Sequence, residues 1–210
     1  PDADNKGSRR GGLIHLAETA TFRMTGGMLL NGSTLSTSNP DKREPGGSIA
    51  GINAGCTIEI LGGKIIGGES ANHGGNIYNV GTTIIKNCEI VGGTATLSGG
   101  NICQNGGSLT IENAIIRDGV ANTSANKYGG GNIAAMSSAI VTIKDSTIRN
   151  GYSGYYAGNL YFGTYNTAYL GKYNIETNTF SQLGDWLCAP GYEPDAVRAG
   201  DAGLIYKDGF

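Results

Sequence analysis

A phrase repeated six times, a period-two alternation of apolar residues, and the lack of any amphipathic helical window long enough for a crossover together predict an all-β chain. The fold class they define is a single-stranded right-handed parallel β-helix, a solenoid of about six coils with a C-terminal cap. The phrase reads Gly-Gly-Leu-Ile at 11–14, Gly-Gly-Ser-Ile at 46–49 and Gly-Gly-Asn-Ile at 74–77, 99–102 and 130–133, with a worn copy, Gly-Asn-Leu, at 158–160. Its second glycines stand 35, 28, 25, 31 and 27 residues apart. Corners tolerate insertions and packed strands do not, so the uneven steps place the extra residues in corners. Propeller blades, at about 40–45 residues, are longer than these repeats.

Each coil starts at the glycine pair, which suits a corner where a β-carbon would clash, and continues into a short strand. The aliphatic residues Ile14, Ile49, Ile77, Ile102, Ile133 and Leu160 then stack on one another as a continuous internal column. Asn76, Asn101, Asn132 and Asn159 form an amide column beside it, with Asn87 and Asn113 forming another. Such ladders bond along the stack and tolerate the left-handed backbone of tight corners.

A longer strand follows, with apolar pairs two apart: Phe22/Met24, Ile58/Ile60, Leu109/Ile111 and Val141/Ile143. The residues between and after them point outward, and Lys86, Glu112 and Lys144 alternate in sign from coil to coil, which suits cross-strand pairing. A third short strand surrounds the anchors Leu29, Ile65, Ile90, Ile116, Ile148 and Ile175, giving three strands per turn. The expected organisation is a loose polar N-terminal segment at 1–10, coils over 11–176 and a capping segment at 177–210 that contains Trp186, Pro190 and Pro194.

Composition narrows the function classes. Glycine (37) and proline (5) make up about 20% of the 210 residues, below the level of a disordered low-complexity chain. A net charge of −2 provides no basic field for nucleic acid, and no apolar run is long enough to insert in a membrane. Cys56, Cys88, Cys103 and Cys188 lack metal-ligand spacing and read as small buried apolar residues; one disulfide, Cys88 to Cys103 in neighbouring repeats, stays open for an extracellular chain. No metal or cofactor is expected.

The strands TIIKNCEIVGG at 83–93, LTIENAIIRDG at 109–119 and VTIKDSTIRNG at 141–151, with the Gly-Gly-Asn-Ile phrases, carry a resemblance. Over about 11–176 the chain resembles right-handed parallel β-helix repeat proteins of the bacterial surface. These include adhesin-like proteins of gut bacteria and the polymorphic outer-membrane repeats with their Gly-Gly-Ala-Ile phrase. The Phe-x-x-Asn phrase of the outer-membrane repeats is missing here. The resemblance implies the fold and an extracellular or cell-surface location within a larger chain. It does not choose a chemistry, because similar helices include polysaccharide lyases and hydrolases as well as non-catalytic adhesins.

A glycosidase on this scaffold needs two carboxylates about 5–9.5 Å apart. The columns bring none together: Glu112 is flanked by Lys86 and Lys144, and Asp118 stands beside Gly92 and Asn150. The best catalytic candidates are Arg117, Arg149 and Glu176, which share a column and read more simply as an exposed charge ladder. His15 and His73 read as surface or loop residues. The ligand-binding candidates are aromatic. Tyr152, Tyr155, Tyr156, Tyr161 and Tyr165 crowd together ahead of Tyr169 and Tyr173, where they form a sugar platform or a lid over the end of the column. The expectation is thus a non-catalytic surface module, adhesin-like, with a glycan or host-surface protein as partner. The alternatives are a carbohydrate-active enzyme, lyase or hydrolase, and a passive spacer in a larger surface protein.

Overall fold

The computed structural model describes residues 10–34, 44–123 and 129–163, together with the backbone course of three later strands, Thr167–Asn174, Thr179–Leu183 and Ile205–Lys207. The apolar residues two apart do what their spacing requires. Along Ser108–Glu112, Leu109 and Ile111 are fully buried while Ser108, Thr110 and Glu112 face solvent. The strands wind as a right-handed parallel solenoid, and no helix occurs among the described residues.

Three sides of the solenoid are the expected ones. The first sheet stacks Ile14–Leu16, Ile49–Gly51, Ile77–Asn79, Ile102–Asn105, Ile133–Met136 and Leu160–Phe162, in a register that places the phrase's aliphatic residues directly over one another. Thr21–Met24, Thr57–Ile60, Thr82–Lys86, Ser108–Glu112, Ile140–Lys144 and Thr167–Asn174 make the second. Met28–Leu30, Gly63–Ile66, Cys88–Val91, Ile115–Arg117 and Ser146–Arg149 make the third, aligned on the anchors from Leu29 to Ile148. The anchor Ile175 lies outside the described residues.

A fourth side corrects the expected three strands per turn. Glu69–Ser70, Thr94–Ala95, Val120–Ala121 and Tyr152–Ser153 form a parallel sheet of two-residue strands. Among the described residues, the coils beginning at Ile49, Ile77, Ile102 and Ile133 carry all four strands, which makes four complete coils rather than six. The copy at 11–14 opens a turn whose fourth side is a single bridge from Ser33 to Glu69. The copy at 158–160 opens a turn followed by a change of direction. Thr179–Leu183 runs antiparallel to both Thr167–Asn174 and Ser146–Arg149, joining the second and third sheets, and Ile205–Lys207 adds in parallel to the first.

The corners differ in length. Two residues always separate the third and fourth sides, at 67–68, 92–93, 118–119 and 150–151. From the fourth side back to the next glycine pair the chain takes three residues at 71–73, 96–98 and 154–156, and eight at 122–129. The step of 31 takes its extra residues there, while the steps of 28 and 25 differ between the first and second sides, with five residues at 52–56 against two at 80–81.

Inside, Ile58, Ile60, Ile65, Ile85, Ile90, Ile111, Ile116 and Ile143 have no solvent exposure. Each such side chain contributes about 1.5–3 kcal/mol by leaving water. In the opening turn Ile14, Phe22 and Leu29 are only half-buried, because among the described residues no coil covers them from that side. A polar insertion interrupts the aliphatic core without leaving orphans. Asn79 Nδ2 donates to Thr83 Oγ1 (2.9 Å), Thr83 Oγ1 donates to Gln104 Oε1 (2.6 Å), and Gln104 Nε2 donates to the carbonyls of Gly81 and Gly106 (both 2.7 Å).

The repeated phrase divides its labour. Gly99 has φ +63°, and a β-carbon on Gly100 would overlap the Gly131 carbonyl oxygen and the Val120 nitrogen. The first glycine supplies the turn and the second the close approach of backbones. The buried asparagines bond along the axis: Asn76 Nδ2 to Asn101 Oδ1 (2.8 Å), Asn101 Nδ2 to Asn132 Oδ1 (2.7 Å), Asn132 Nδ2 to Asn159 Oδ1 (2.7 Å). Each also crosses the interior, as Asn101 does by donating to the Arg117 carbonyl (2.8 Å) and accepting from the Gly93 N–H (2.8 Å). Left-handed backbone belongs instead to Asn87, Asn113 and Asp145, and to Asn31, Asp118 and Asn150, with φ between 49° and 57°.

Candidate functional site

The exterior carries its charges in short ladders. On the second sheet Glu112 lies between Lys86 (2.8 Å) and Lys144 (2.7 Å), one from each adjoining coil, and Arg23 pairs with Glu59. On the third sheet Glu89 lies in the same way between Lys64 (2.6 Å) and Arg117 (2.9 Å), and Arg117 also holds Asp118. Lys144 and Lys86 keep the Glu112 carboxyl below its ordinary range, and the hydrogen bond from Lys64, with that from Arg117, does the same for Glu89. Both carboxylates stay ionised at neutral pH.

Arg117 and Arg149 are register partners, as their column predicts. Their environments differ. Arg117 is engaged by Glu89 and Asp118, whereas Arg149 is exposed, beside an Asn150 whose Nδ2 donates to Asp118 Oδ1 at 3.2 Å. Glu176, the third member, lies outside the described residues.

The aromatic candidates separate as well. Tyr152 is exposed on the fourth side, next to Val120. Tyr155 meets Tyr156 edge-on at 4.5 Å, and Tyr156 stacks parallel on Tyr161 at 6.1 Å. Tyr161 is only 3% exposed, so Tyr156 covers the face it would offer a sugar. Tyr165 lies outside the described residues, as do Trp186 and Cys188.

This aromatic stack belongs to a second, smaller hydrophobic cluster on the outer face of the first sheet. Cys103, Ala134, Ala157 and Tyr161 are buried there, with Tyr78, Met136 and Tyr156 packed on them. His73, in the corner at 71–73 as the loop reading has it, joins its edge and is covered more than a surface residue. It is partly buried, stacked on Tyr78 at 6.5 Å with Nδ1 2.6 Å from Ser98 Oγ, and burial pushes its pKa down to about 4. The Cys88–Cys103 disulfide is not formed. Cys88 lies in the main core and Cys103 in this outer cluster, both thiols are free, and burial raises each to about 12.

A concavity that the sequence reading missed runs along the corner between the second and third sheets. It is an open groove of about 530 Å³ crossing four coils. Asn87, Asn113 and Asp145 line one side, and the outward residues of the third sheet, Lys64, Glu89, Ile115 and Thr147, line the other. Asn113 Nδ2 donates to Asn87 Oδ1 at 2.8 Å, and Ile115 is 42% exposed. The signal was within reach: the column of Asn87 and Asn113, followed two residues onward to Glu89 and Ile115, spells the groove. Among the described residues no three His, Cys, Asp or Glu side chains are placed to hold a metal ion. Comparison of the chain with known protein families, with curated proteins and with solved structures gives no match.

Proposed function

We propose that this chain is a non-catalytic module of an extracellular or cell-surface protein, a structural and binding element of adhesin-like character whose partner is a glycan or a host-surface protein. The observation that supports this reading is the use made of the carboxylates. Glu89 and Glu112 each join two neighbouring coils through two cations, and their acidity is increased by that contact. A general acid for glycosidic cleavage requires the opposite, a carboxyl kept protonated near neutral pH by an apolar or anionic setting. Arg117 is committed to the same stitching.

The test is incubation with a panel of neutral and acidic polysaccharides, read by reducing ends and by absorbance of unsaturated products. No turnover is expected from the chain. Turnover that disappears in an Arg117→Ala/Arg149→Ala variant overturns the reading in favour of a lyase or hydrolase. Binding on a glycan or host-surface array is expected as well, and the absence of any binding favours a spacer.

A further inference from the structure

We infer that the groove between the second and third sheets is a binding site for a linear, neutral oligosaccharide running parallel to the solenoid axis, and this rests on the glycan-binding reading above. The first argument is unused hydrogen-bonding capacity. Among the described residues the exposed side chains of Asn87 and Asn113 bond to each other alone, leaving Nδ2 of Asn87 and Oδ1 of Asn113 to solvent or a ligand. Asp145 occupies the next rung of the same column. An amide there would continue the ladder. A carboxylate offers only acceptors, so Asn113 Oδ1 and Asp145 form adjacent acceptor rungs with no donor between them. A ligand hydroxyl supplies that donor.

The second argument is charge. Lys64 and Glu89 neutralise each other at 2.6 Å inside the groove, and Glu89 is further held by Arg117. Asp145, whose carboxylate makes no hydrogen bond or salt bridge among the described residues and acts only through space on the adjacent Lys144, adds a negative charge to the lining. That field disfavours uronic acids, sulfated sugars and nucleic acid and leaves neutral sugars as the fitting class. The third is the apolar strip. Ile115, exposed in the middle of the groove, presents an aliphatic face to the C–H side of a pyranose while Thr147 and the amides meet its hydroxyls. The fourth is periodicity. Rungs recur at about 4.8 Å, so a chain lying along the axis meets one residue of each lining column at every coil.

The asparagines also serve the backbone, since Asn87 and Asn113 both have positive φ. Asn→Gly substitutions therefore keep the corner while removing the amide. The experiment is titration calorimetry of the whole chain against neutral and uronic-acid oligosaccharides of matched length, with circular dichroism melts showing that each variant is folded. Wild type is expected to prefer the neutral series. A variant carrying Asn87→Gly, Asn113→Gly and Ile115→Thr is expected to lose at least tenfold in affinity, while Tyr155→Ala/Tyr156→Ala retains it. Binding that survives the groove variant and is lost in the tyrosine variant overturns the groove site and leaves the glycan reading standing. A preference for the uronic series overturns the assigned ligand class. Absence of binding to every sugar in the wild type overturns both.

Discussion

Asn101 donates its Nδ2 proton to Oδ1 of Asn132 at 2.7 Å, and the acceptor's orientation is fixed because the same Oδ1 receives the Gly119 N–H at 3.0 Å. Every amide of the buried ladder thus points the same way, from earlier coil to later, whereas the exposed Asn113 donates backward to Asn87. Replacing Asn101 by Leu strands the N–H of Gly93, and it removes one of two hydrogen bonds from Asn76 Nδ2, which keeps the Val91 carbonyl, and from the Arg117 carbonyl, which keeps the Gly92 N–H. A loss of about 2–3 kcal/mol in urea denaturation is expected, since one buried group left unsatisfied costs about 1–3 kcal/mol and an ordinary lost hydrogen bond about 0.5–1.5 kcal/mol. A loss below about 1 kcal/mol would show that the ladder is dispensable.

Two glycines eight residues apart should behave oppositely. Gly100→Ala drives a methyl into the Gly131 carbonyl and the Val120 nitrogen, both backbone, and is expected to cost about 4 kcal/mol or prevent folding. Gly92 has φ +64° with nothing near its missing side chain, and its column neighbours Asp118 and Asn150 share that conformation. Gly92→Asn should shift the midpoint of thermal unfolding little. Similar melts for the two variants would sink the distinction between turn and contact glycines.

His73 makes stability depend on acidity. Its pKa in the fold, about 4, lies below the ordinary 6.5, so the unfolded chain binds the proton more readily. The stabilisation from neutral His73 is complete above pH 6.5 and is lost as pH falls from there through about 4, up to on the order of 2–3 kcal/mol. A His73→Gln variant should flatten that part of the profile. Identical slopes for variant and wild type between pH 6.5 and 4 would assign the acid sensitivity elsewhere.

The cysteines provide a chemical readout of the core. With Cys56, Cys88 and Cys103 buried, and Cys88 and Cys103 raised to about 12, none of the three should react with a disulfide reagent at pH 8 until the chain unfolds. Mass spectrometry after brief native labelling checks this. Rapid modification of Cys103 would mean that the outer cluster around Tyr161 opens readily.

Residues that stack on their own kind were legible in the sequence. Ile102 over Ile77, Asn101 beside Asn76 and Lys86 against Glu112 all followed from counting, because a parallel solenoid turns a sequence period into a contact. Glu69–Ser70 and its fellows were not, since two residues are too short to display an alternation. Six copies of a phrase also did not make six coils, because a terminal copy needs neighbours to complete its turn. His73 escaped because its burial comes from Tyr78 and Ser98, which lie in other columns. The groove escaped for a related reason: Asn113 and Ile115 are unremarkable singly and become a surface only when the corner sets two columns side by side.

The unequal corners have a consequence for engineering and for inheritance alike. Extra chain enters between the fourth side and the next glycine pair, where 122–129 is longer than 96–98 although Ala95 still pairs with Ala121 and Ile102 with Ile133. The molecule thus has a splice point on each coil, at which a foreign epitope or a new loop can be grafted without shifting the frame of the rungs above and below. The two-residue corners between the third and fourth sides, by contrast, act as fixed joints, and lengthening 92–93 by even one residue would put every later rung of that coil out of phase.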